Sequence, residues 1–134
     1  KAGTTVKDLA LTIDIAPTMV ALAGGKPPGS MQGRSLLPLL AGKRAGWRKS
    51  VLCEYFSENA LPWLVGMSYK AIRTDCHKLI HWVNRGRGAE LDELYDVERD
   101  PFELKNLARS ARHARVRASL RSQMRRLVAD AAGL

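Results

Sequence analysis

The stretch ELDELYDVERDPFELKNL, residues 90–107, decides the fold because it joins a predicted strand to a predicted helix start. Its segment ELYDV, residues 93–97, alternates polar and apolar side chains, which is typical of a half-buried strand. Asp100 and Glu103 then form the pattern of a capping box around Pro101, which occupies the first helical position, where its missing N–H costs nothing. The sequence therefore predicts a strand that is followed closely by a helix.

Three segments upstream of this stretch also have the pattern of short strands. They are SVLCEYF at 50–56, GMSYKAIR at 66–73 and KLIHWV at 78–83, and residues 74–77 form a hairpin between the last two. Consecutive short strands with short connections favour antiparallel pairing.

A long helix is predicted downstream, from Ser110 as its cap to Ala132, with Gly133 as its stop. Apolar side chains recur at spacings of three and four on one stripe of this helix: Val116, Leu120, Met124, Leu127 and Ala131. The predicted fold class is therefore α+β, a small antiparallel sheet of about four strands packed by a long C-terminal helix.

The first third of the chain predicts a strand-like segment and two helices. Residues 6–13 are strand-like in their second half, and a helix is predicted over 15–23 with Thr12 or Asp14 as its cap. A second short helix or turn covers residues 35–40. Because the helix over 15–23 is apolar on all sides, it is expected to lie inside a larger body.

Composition is that of an ordinary soluble globular protein, with 46% hydrophobic and 26% charged residues. No apolar run reaches the ~18 residues that span a bilayer, so we expect a soluble chain, and its compartment stays open. The chain begins at Lys1 without an initiator Met or a signal peptide, so it is expected to be a fragment, a processed product or a designed chain. Cys53 and Cys76 leave two alternatives open, one disulfide or two buried thiols.

The net charge of +9 is concentrated near the C-terminus, where residues 106–134 hold seven Arg and one Asp. A helical wheel places these arginines on both flanks of the apolar stripe: Arg112, Arg115 and Arg126 on one, and Arg117, Arg121 and Arg125 on the other. A nucleic-acid reader usually concentrates its positive charge on one face. A solvated helix surface is therefore favoured over a nucleic-acid site.

No metal or catalytic motif is complete in this sequence. His77 and His81 lie too far apart on an extended strand to share an ion, and the acidic run over 90–100 lacks the D-x-D-x-D-G pattern of a calcium loop. No Gly-rich phosphate loop, G-x-S-x-G elbow or H-E-x-x-H motif occurs. His81 precedes Arg85 and Arg87, so this edge is either a set of donors for an anionic ligand or a solvated hairpin end.

Several segments, taken in order, resemble the C-terminal part of the sulfatase family. Residues 12–24 (TIDIAPTMVALAG) are similar to the family's aspartate and Pro-Thr segment, and residues 31–40 (MQGRSLLPLL) to the loop and short helix that follow. The remaining matches fall in the family's small C-terminal subdomain: Glu54-Tyr55, Ala71-Ile72-Arg73-Thr74, Lys78-Leu79, Glu93-Leu94-Tyr95-Asp96, Asp100-Pro101-Phe102-Glu103 and Asn106-Leu107. Their shared order over nearly the whole chain makes the resemblance specific.

The resemblance implies an alkaline-phosphatase-like α/β domain followed by a small sheet-and-helix subdomain. Residues 1–46 would be the end of the sulfatase-like catalytic domain, including a helical segment left from that larger domain, and residues 47–134 would be the C-terminal subdomain. The family hydrolyses sulfate esters with a calcium ion and a formylglycine made from the Cys or Ser of a C/S-x-P-x-R motif. Neither Cys53 nor Cys76 fits that motif, so formylglycine and calcium are expected in an upstream domain, and no catalytic or metal residue in this chain.

The resemblance also implies that the chain completes the fold and lines one rim of the substrate cleft, and that it is inactive in isolation. The rim candidates are Arg73, Lys78, His81, Arg85 and Arg87. Expected partners are the upstream catalytic domain, the sulfate-ester substrate and, through the apolar helix over 15–23, a second copy of the chain; no membrane partner is expected. The alternatives are a basic module that binds nucleic acid or another polyanion, and the equivalent part of a related phosphatase or phosphotransferase.

Overall fold

A computed structural model describes residues 3–56, 67–83 and 91–133. The chain divides into two compact units, of which the first ends at Lys49 and the second begins at Ser50. All the strands of the described ranges and the longest of their helices belong to the second unit. No helix among these residues is long and apolar enough to cross a membrane.

The first unit contains two short helices, as the sequence predicts. Helix α1 spans Ile15–Leu22 and helix α2 spans Leu37–Leu40. Pro38 lies in the first turn of α2, where the missing N–H of proline removes no helical hydrogen bond. The chain leaves α2 through Gly42, whose φ of 76° is a left-handed conformation that glycine adopts without steric cost.

Residues 6–13 form no strand, so the strand prediction for this segment is wrong. The end of the segment belongs to a single 3-10 turn, Thr12–Asp14. Its backbone is tied to side chains instead of to a neighbouring strand; for example, Trp47 Nε1 donates to Leu9 O at 2.8 Å. Apolar alternation could not reveal this arrangement, because the pattern carries no information about the partner that satisfies the backbone.

Helix α1 buries only part of its apolar surface within this chain. Pro17 and Thr18 are buried, whereas Ile15, Met19 and Leu22 are 57%, 61% and 62% exposed. A helix that is apolar all round normally lies in the interior of a larger structure. The exposed side of α1 is therefore an apolar surface that its own unit leaves uncovered.

The second unit contains the four-stranded antiparallel sheet that the sequence predicts. The strands are β1 (Ser50–Tyr55), β2 (Tyr69–Thr74), β3 (His77–Trp82) and β4 (Leu91–Asp96), and strands that are consecutive in the chain are neighbours in the sheet. The β2–β3 hairpin is closed at its turn, where Thr74 Oγ1 accepts a hydrogen bond from His77 N at 3.0 Å.

Helix α3 spans Ala114–Ala132 and packs against the sheet, which confirms the predicted long C-terminal helix. It follows a 3-10 turn at Ala111–His113, and Ser110 makes no side-chain cap, which corrects its predicted capping role. The helix ends at Gly133, whose φ of 70° provides the left-handed cap. Full burial of a Leu, Ile or Met side chain contributes about 1.5–3 kcal/mol. The core between sheet and helix consists of Ile72, Leu79, Leu94, Ala108, Leu120 and Met124.

The helix predicted to begin at Asp100 does not form. Glu103 N donates to Asp100 O at 3.0 Å, which closes a single turn, but Glu103 has a φ of 55°. A residue in this left-handed conformation cannot continue a right-handed helix. Asp100 Oδ2 instead accepts from Lys105 N at 2.9 Å, so the capping-box pattern marks a tight turn.

Asn106 then returns the chain to the sheet. Its Oδ1 accepts hydrogen bonds from Leu94 N at 3.1 Å and from Ala108 N at 2.9 Å. Leu107 N donates to Leu94 O at 2.7 Å, so both backbone groups of Leu94 are satisfied by this segment. The stretch that follows β4 is therefore an ordered connection that leads to α3.

Candidate functional site

Strand alternation sorts the side chains of the sheet into two faces. The helix face, which packs against α3, carries Ile72, Leu79 and Leu94 directly opposite one another across β2, β3 and β4. The second face carries the residues at the alternate positions. This sorting decides which rim candidates lie together.

Two rim candidates, Arg73 and Lys78, are paired across β2 and β3 on the second face. Lys78 Nζ lies 3.0 and 2.7 Å from the two carboxylate oxygens of Glu103, so an ion pair neutralises its charge. Arg73 is half-buried and makes no ion pair within the described part of the chain. Arg73 is therefore the more available cation of the two.

The third candidate, His81, lies on the helix face, so the structure does not bring it together with Arg73 and Lys78. It belongs to a polar row that crosses the sheet, one residue from each strand: Glu54, Lys70, His81 and Asp92. Within this row Lys70 Nζ lies 3.0 Å from Glu54 Oε1, and His81 Nδ1 lies 2.9 Å from Asp92 Oδ1.

Arg121 of α3 completes the polar row from the helix side. Its Nη2 lies 2.9 Å from both Oδ1 and Oδ2 of Asp92. Burial by itself would raise the pKa of Asp92, but the hydrogen bonds with Arg121 and His81 outweigh burial and hold this pKa below its ordinary value. Asp92 is therefore an ionised carboxylate that fixes the positions of Arg121 and His81.

A cleft of about 350 Å³, here called the His81 cleft, opens beside the polar row. Arg125 is exposed at this cleft and has no ion pair within the ranges that the structure describes. The remaining rim candidates, Arg85 and Arg87, lie outside the described residues. The cleft is lined by Lys70, His81, Val83, Arg121, Met124, Arg125 and Val128.

Three cations of this cleft are not among the predicted rim residues. The sequence predicts a solvated helix surface for Arg121 and Arg125 and assigns no role to Lys70. The available signal is the four-residue spacing of Arg121 and Arg125, which places both side chains on one flank of the apolar stripe. The missing information was tertiary, because only the register of the sheet places Lys70 opposite His81 and only the packing of α3 brings the arginines to both.

The second face carries aromatic rings beside its cations. The ring centroids of Tyr55 and Tyr69 are 5.8 Å apart, and those of Tyr69 and Trp82 are 5.2 Å apart in an edge arrangement. Glu93 accepts hydrogen bonds from Trp82 Nε1 at 2.9 Å and from the Tyr95 hydroxyl at 2.7 Å. Burial and the Glu93 carboxylate raise the pKa of Tyr95 to about 12, so this phenol stays protonated at neutral pH.

The carboxylate of Asp14 organises the first unit. It makes no side-chain cap for α1, which corrects the predicted capping role. It accepts hydrogen bonds from Leu11 N and Arg34 N at 2.8 Å each and from both terminal nitrogens of Arg48. Burial would raise its pKa, but these bonds together lower the pKa to about 2. Asp14 therefore stays ionised near neutral pH and serves as a structural anchor.

The two cysteines are free, so the disulfide alternative is excluded. Cys53 is exposed and Cys76 half-buried, which also contradicts the expectation of two buried thiols. Over residues 3–56, 67–83 and 91–133, no three His, Cys, Asp or Glu side chains are grouped so that they could hold a metal ion.

The sheet-and-helix arrangement is similar to that of several solved structures. One of them, a complex with its substrate D-glucosamine-2-N,6-O-disulfate, has a TM-score of 0.73 and 32% identity, covering 84% of this chain and 22% of that chain. The phosphonate monoester hydrolase of Agrobacterium radiobacter has a TM-score of 0.70 and 28% identity, covering 87% of this chain and 24% of that chain. The fold is thus that of the C-terminal region of sulfatases and their relatives.

Sequence comparison agrees with the structural comparison. The N-acetylglucosamine-6-O-sulfatase of Bacteroides thetaiotaomicron is 37% identical over 125 residues, 90% of this chain and 21% of the relative. Human arylsulfatase K is 34% identical over 116 residues, 81% of this chain and 20% of the relative. Residues 1–130 match the C-terminal family of N-sulphoglucosamine sulphohydrolase, and the chain belongs to this family.

The predicted resemblance to the C-terminal part of the sulfatase family is confirmed by these matches. The chain spans about a fifth of the length of the two curated relatives.

Proposed function

We propose that this chain completes the fold of a sulfatase and lines one rim of its substrate cleft, without contributing a catalytic group. Membership of a sulfatase C-terminal family over residues 1–130 supports this proposal. The relatives' names indicate the substrate class, since one acts on N-acetylglucosamine 6-O-sulfate and another binds a disulfated glucosamine. Other relatives are named as a hexuronate-2-O-sulfatase and an ulvan-active sulfatase, so the proposed substrate is a sulfated sugar.

Under this proposal an upstream domain of the same polypeptide supplies the formylglycine nucleophile and the calcium ion. The residues of this chain do not fit either group, because Cys53 and Cys76 lie outside a C/S-x-P-x-R motif and the described ranges contain no metal-holding cluster. The contribution of this chain is then to position the substrate.

Arg73 is the rim residue that the geometry favours. It lies next to the Lys78–Glu103 ion pair and has no carboxylate partner of its own within the described ranges. An arginine without a carboxylate partner can donate two parallel N–H hydrogen bonds from its planar guanidinium group to a sulfate oxyanion. Arg85 and Arg87 remain rim candidates.

The test uses the longest reading frame that contains this chain, assayed with 4-nitrophenyl sulfate and glucosamine 6-sulfate. Arg73→Gln should raise KM for the sugar sulfate about tenfold with little change in kcat, because a lost charged hydrogen bond of about 1.5–3 kcal/mol would affect ground and transition states alike. Arg85→Ala and Arg87→Ala should behave similarly. Arg99→Gln is the matched control, since the Arg99 side chain is 86% exposed on a turn of the same unit. A pure loss of kcat in Arg73→Gln would contradict a rim role.

The proposed partner of α1 is the catalytic domain of the same polypeptide. The exposed side chains of Ile15, Met19 and Leu22 would pack inside that domain. In the 134-residue chain alone, the same surface would drive self-association. Light scattering should then show oligomers that Met19→Glu converts to monomers. A monomeric wild-type chain with rapid hydrogen exchange in α1 would contradict this proposal.

A related phosphorus-ester hydrolase is the second candidate. The match to a phosphonate monoester hydrolase supports it, because this C-terminal arrangement also occurs in that enzyme. Comparing 4-nitrophenyl sulfate with 4-nitrophenyl phenylphosphonate as substrates of the long reading frame distinguishes the two candidates. Higher kcat/KM for the phosphonate would assign the protein to the phosphorus-ester hydrolases.

A further inference from the structure

We propose that the His81 cleft binds the sulfate group of a sulfated sugar at a site separate from the rim around Arg73. The two places lie on opposite faces of the sheet, because His81 and Lys70 belong to the helix face while Arg73 and Lys78 belong to the second face. One sugar unit of a sulfated glycan could thus be held here while another occupies the reaction site. The identification of the ligand as a glycan rests on the proposed function; the site itself rests on its geometry.

The first argument is the charge that surrounds the cleft. Lys70, Arg121 and Arg125 line it, and no carboxylate is among the lining residues that the described ranges contribute. Two of these cations are already paired, Lys70 with Glu54 and Arg121 with Asp92. Arg125 is left as the cation without an ion pair in the described ranges, so it provides the main attraction for an anion.

The second argument is preorganisation. Asp92 holds His81 and Arg121 in place through contacts of 2.9 Å, and its lowered pKa keeps it ionised for this role. Because Nδ1 of His81 faces Asp92, a ligand would be contacted by the other ring nitrogen, Nε2. Donors that are fixed before binding lose less conformational entropy when a ligand arrives.

The third argument is the fit between cleft and ligand. Among the residues that the structure describes, three cations face two carboxylates, an excess of one positive charge without counting His81. This excess matches the single charge of a sulfate ester better than a phosphate monoester, which carries about −1.5 to −2 at neutral pH. A volume of about 350 Å³ is near the lower end of small-ligand pockets and suits one sugar unit. Val83, Met124 and Val128 add apolar surface for the C–H groups of the ring.

The test is an NMR titration with N-acetylglucosamine 6-sulfate at low ionic strength, using the ¹⁵N-labelled 134-residue chain with Met19→Glu, a change in the first unit that keeps the chain monomeric and leaves the cleft lining intact. We expect chemical-shift changes at Lys70, His81 and the segment of α3 from Arg121 to Val128, with weaker binding of the 6-phosphate and none of unsulfated N-acetylglucosamine. Inorganic sulfate should bind more weakly than the sugar sulfate, because it lacks the ring that would contact Val83, Met124 and Val128. Equal binding of the unsulfated sugar, or shift changes confined to other regions, would overturn the proposal.

Variants assign the binding to the cleft. Arg125→Gln should raise the dissociation constant about tenfold, and Arg125→Lys less, because lysine keeps the charge but loses the planar donor pair. Arg126→Gln removes the same charge from the next, also exposed, position of α3, outside the cleft lining, and should change the constant less than twofold. Equal effects of the glutamine variants at the two positions would show a nonspecific charge effect and reject the site.

Two further outcomes separate this inference from its alternatives. A single-stranded oligonucleotide that binds the same residues more tightly than a sulfated tetrasaccharide of equal charge would assign the cleft to nucleic acid and overturn the glycan proposal. The titration measures no hydrolysis, so a failure to bind leaves the proposed sulfatase role untouched, and a failed sulfatase assay leaves the binding result intact.

Discussion

Arg48 and Asp14, 34 positions apart, form a two-pronged ion pair in which Arg48 Nη2 lies 2.7 Å from Asp14 Oδ1. The Asp14 side chain is completely buried and that of Arg48 is only 12% exposed. The same carboxylate accepts a hydrogen bond from Arg34 N at 2.8 Å. Three separate segments of the first unit are therefore joined at one buried negative charge.

Replacement of this charge should destabilise the first unit strongly. Asp14→Asn keeps the size of the side chain but leaves the Arg48 guanidinium without its counter-charge, and breaking a buried ion pair in this way costs about 3–5 kcal/mol. Asp8→Asn is the control, because Asp8 meets Arg44 at 3.2 Å with the Arg44 side chain 63% exposed, and such surface pairs contribute about 1 kcal/mol or less. Hydrogen exchange over residues 3–49 measures both effects. Equal losses in the two variants would contradict the role of Asp14.

The stability of the first unit should depend on pH through the ionisation of the Asp14 carboxylate. The folded-state pKa of Asp14 is about 2, below the ordinary value of 3.8, so its contribution is present above pH 3.8 and is lost as the pH falls through 2. Between pH 5 and pH 2 the free energy of unfolding should therefore fall by about 2 kcal/mol more in the wild type than in Asp14→Asn. Urea denaturation at a series of pH values, monitored by exchange of the first unit, measures the difference. Parallel pH profiles would show that Asp14 is not the responsible group.

Gly33 should tolerate no side chain, although it lies outside every helix and strand. A Cβ added at this position would overlap the carbonyl oxygen of Ile13, which is backbone and cannot move aside. Gly33→Ala should destabilise the first unit by about 2 kcal/mol or more, since overpacking against a fixed group forces the backbone to shift. Gly29→Ala is the matched control, because an added Cβ there meets nothing within 4 Å. Its effect on the melting temperature should be small, and a similar loss in both variants would refute the close approach.

The resemblance motifs acquire a physical explanation from these contacts. Thr18 Oγ1 donates to Asp14 O at 2.5 Å and accepts from Leu36 N at 2.9 Å. The segment TIDIAPT thus supplies both side chains that hold the loop GRSL, residues 33–36, while Gly33 permits its close approach. Two motifs recognised separately in the sequence are therefore the two halves of one hydrogen-bonded structure.

The sheet and α3 could be predicted from the sequence because each has a local periodicity that burial imposes. Alternation marks Leu79 and Leu94, and three-to-four spacing marks Leu120 and Met124, which meet in the core. The turn at Glu103 could not be predicted in this way. The residue pattern from Asp100 to Glu103 is the same for a helix start and for a turn that ends with a left-handed φ at Glu103. Glu103 instead pairs with Lys78, 25 positions away, which no local pattern specifies.

The site was only partly predictable for the same reason. Strand parity separates His81 from Lys78, since an odd offset along β3 places them on opposite faces. The grouping of His81 with Lys70 and Arg121 depends instead on the register between strands and on where α3 crosses the sheet. Such pairings are tertiary properties. The sequence therefore identifies the hydrogen-bond donors but does not show which of them lie together in the fold.

Asn106 provides a final test of the connection between β4 and α3. Its Oδ1 accepts hydrogen bonds from Leu94 N and Ala108 N, and both of these residues are buried in the core. Asn106→Ala should cost about 2 kcal/mol, because a donor next to the core loses its acceptor. Gln123→Ala removes only an exposed side-chain contact with Ser119 on α3 and should change stability by less than about 0.5 kcal/mol. If thermal unfolding shows no difference between the two variants, water replaces the amide of Asn106 and the connection depends on the backbone bond between Leu107 and Leu94 alone.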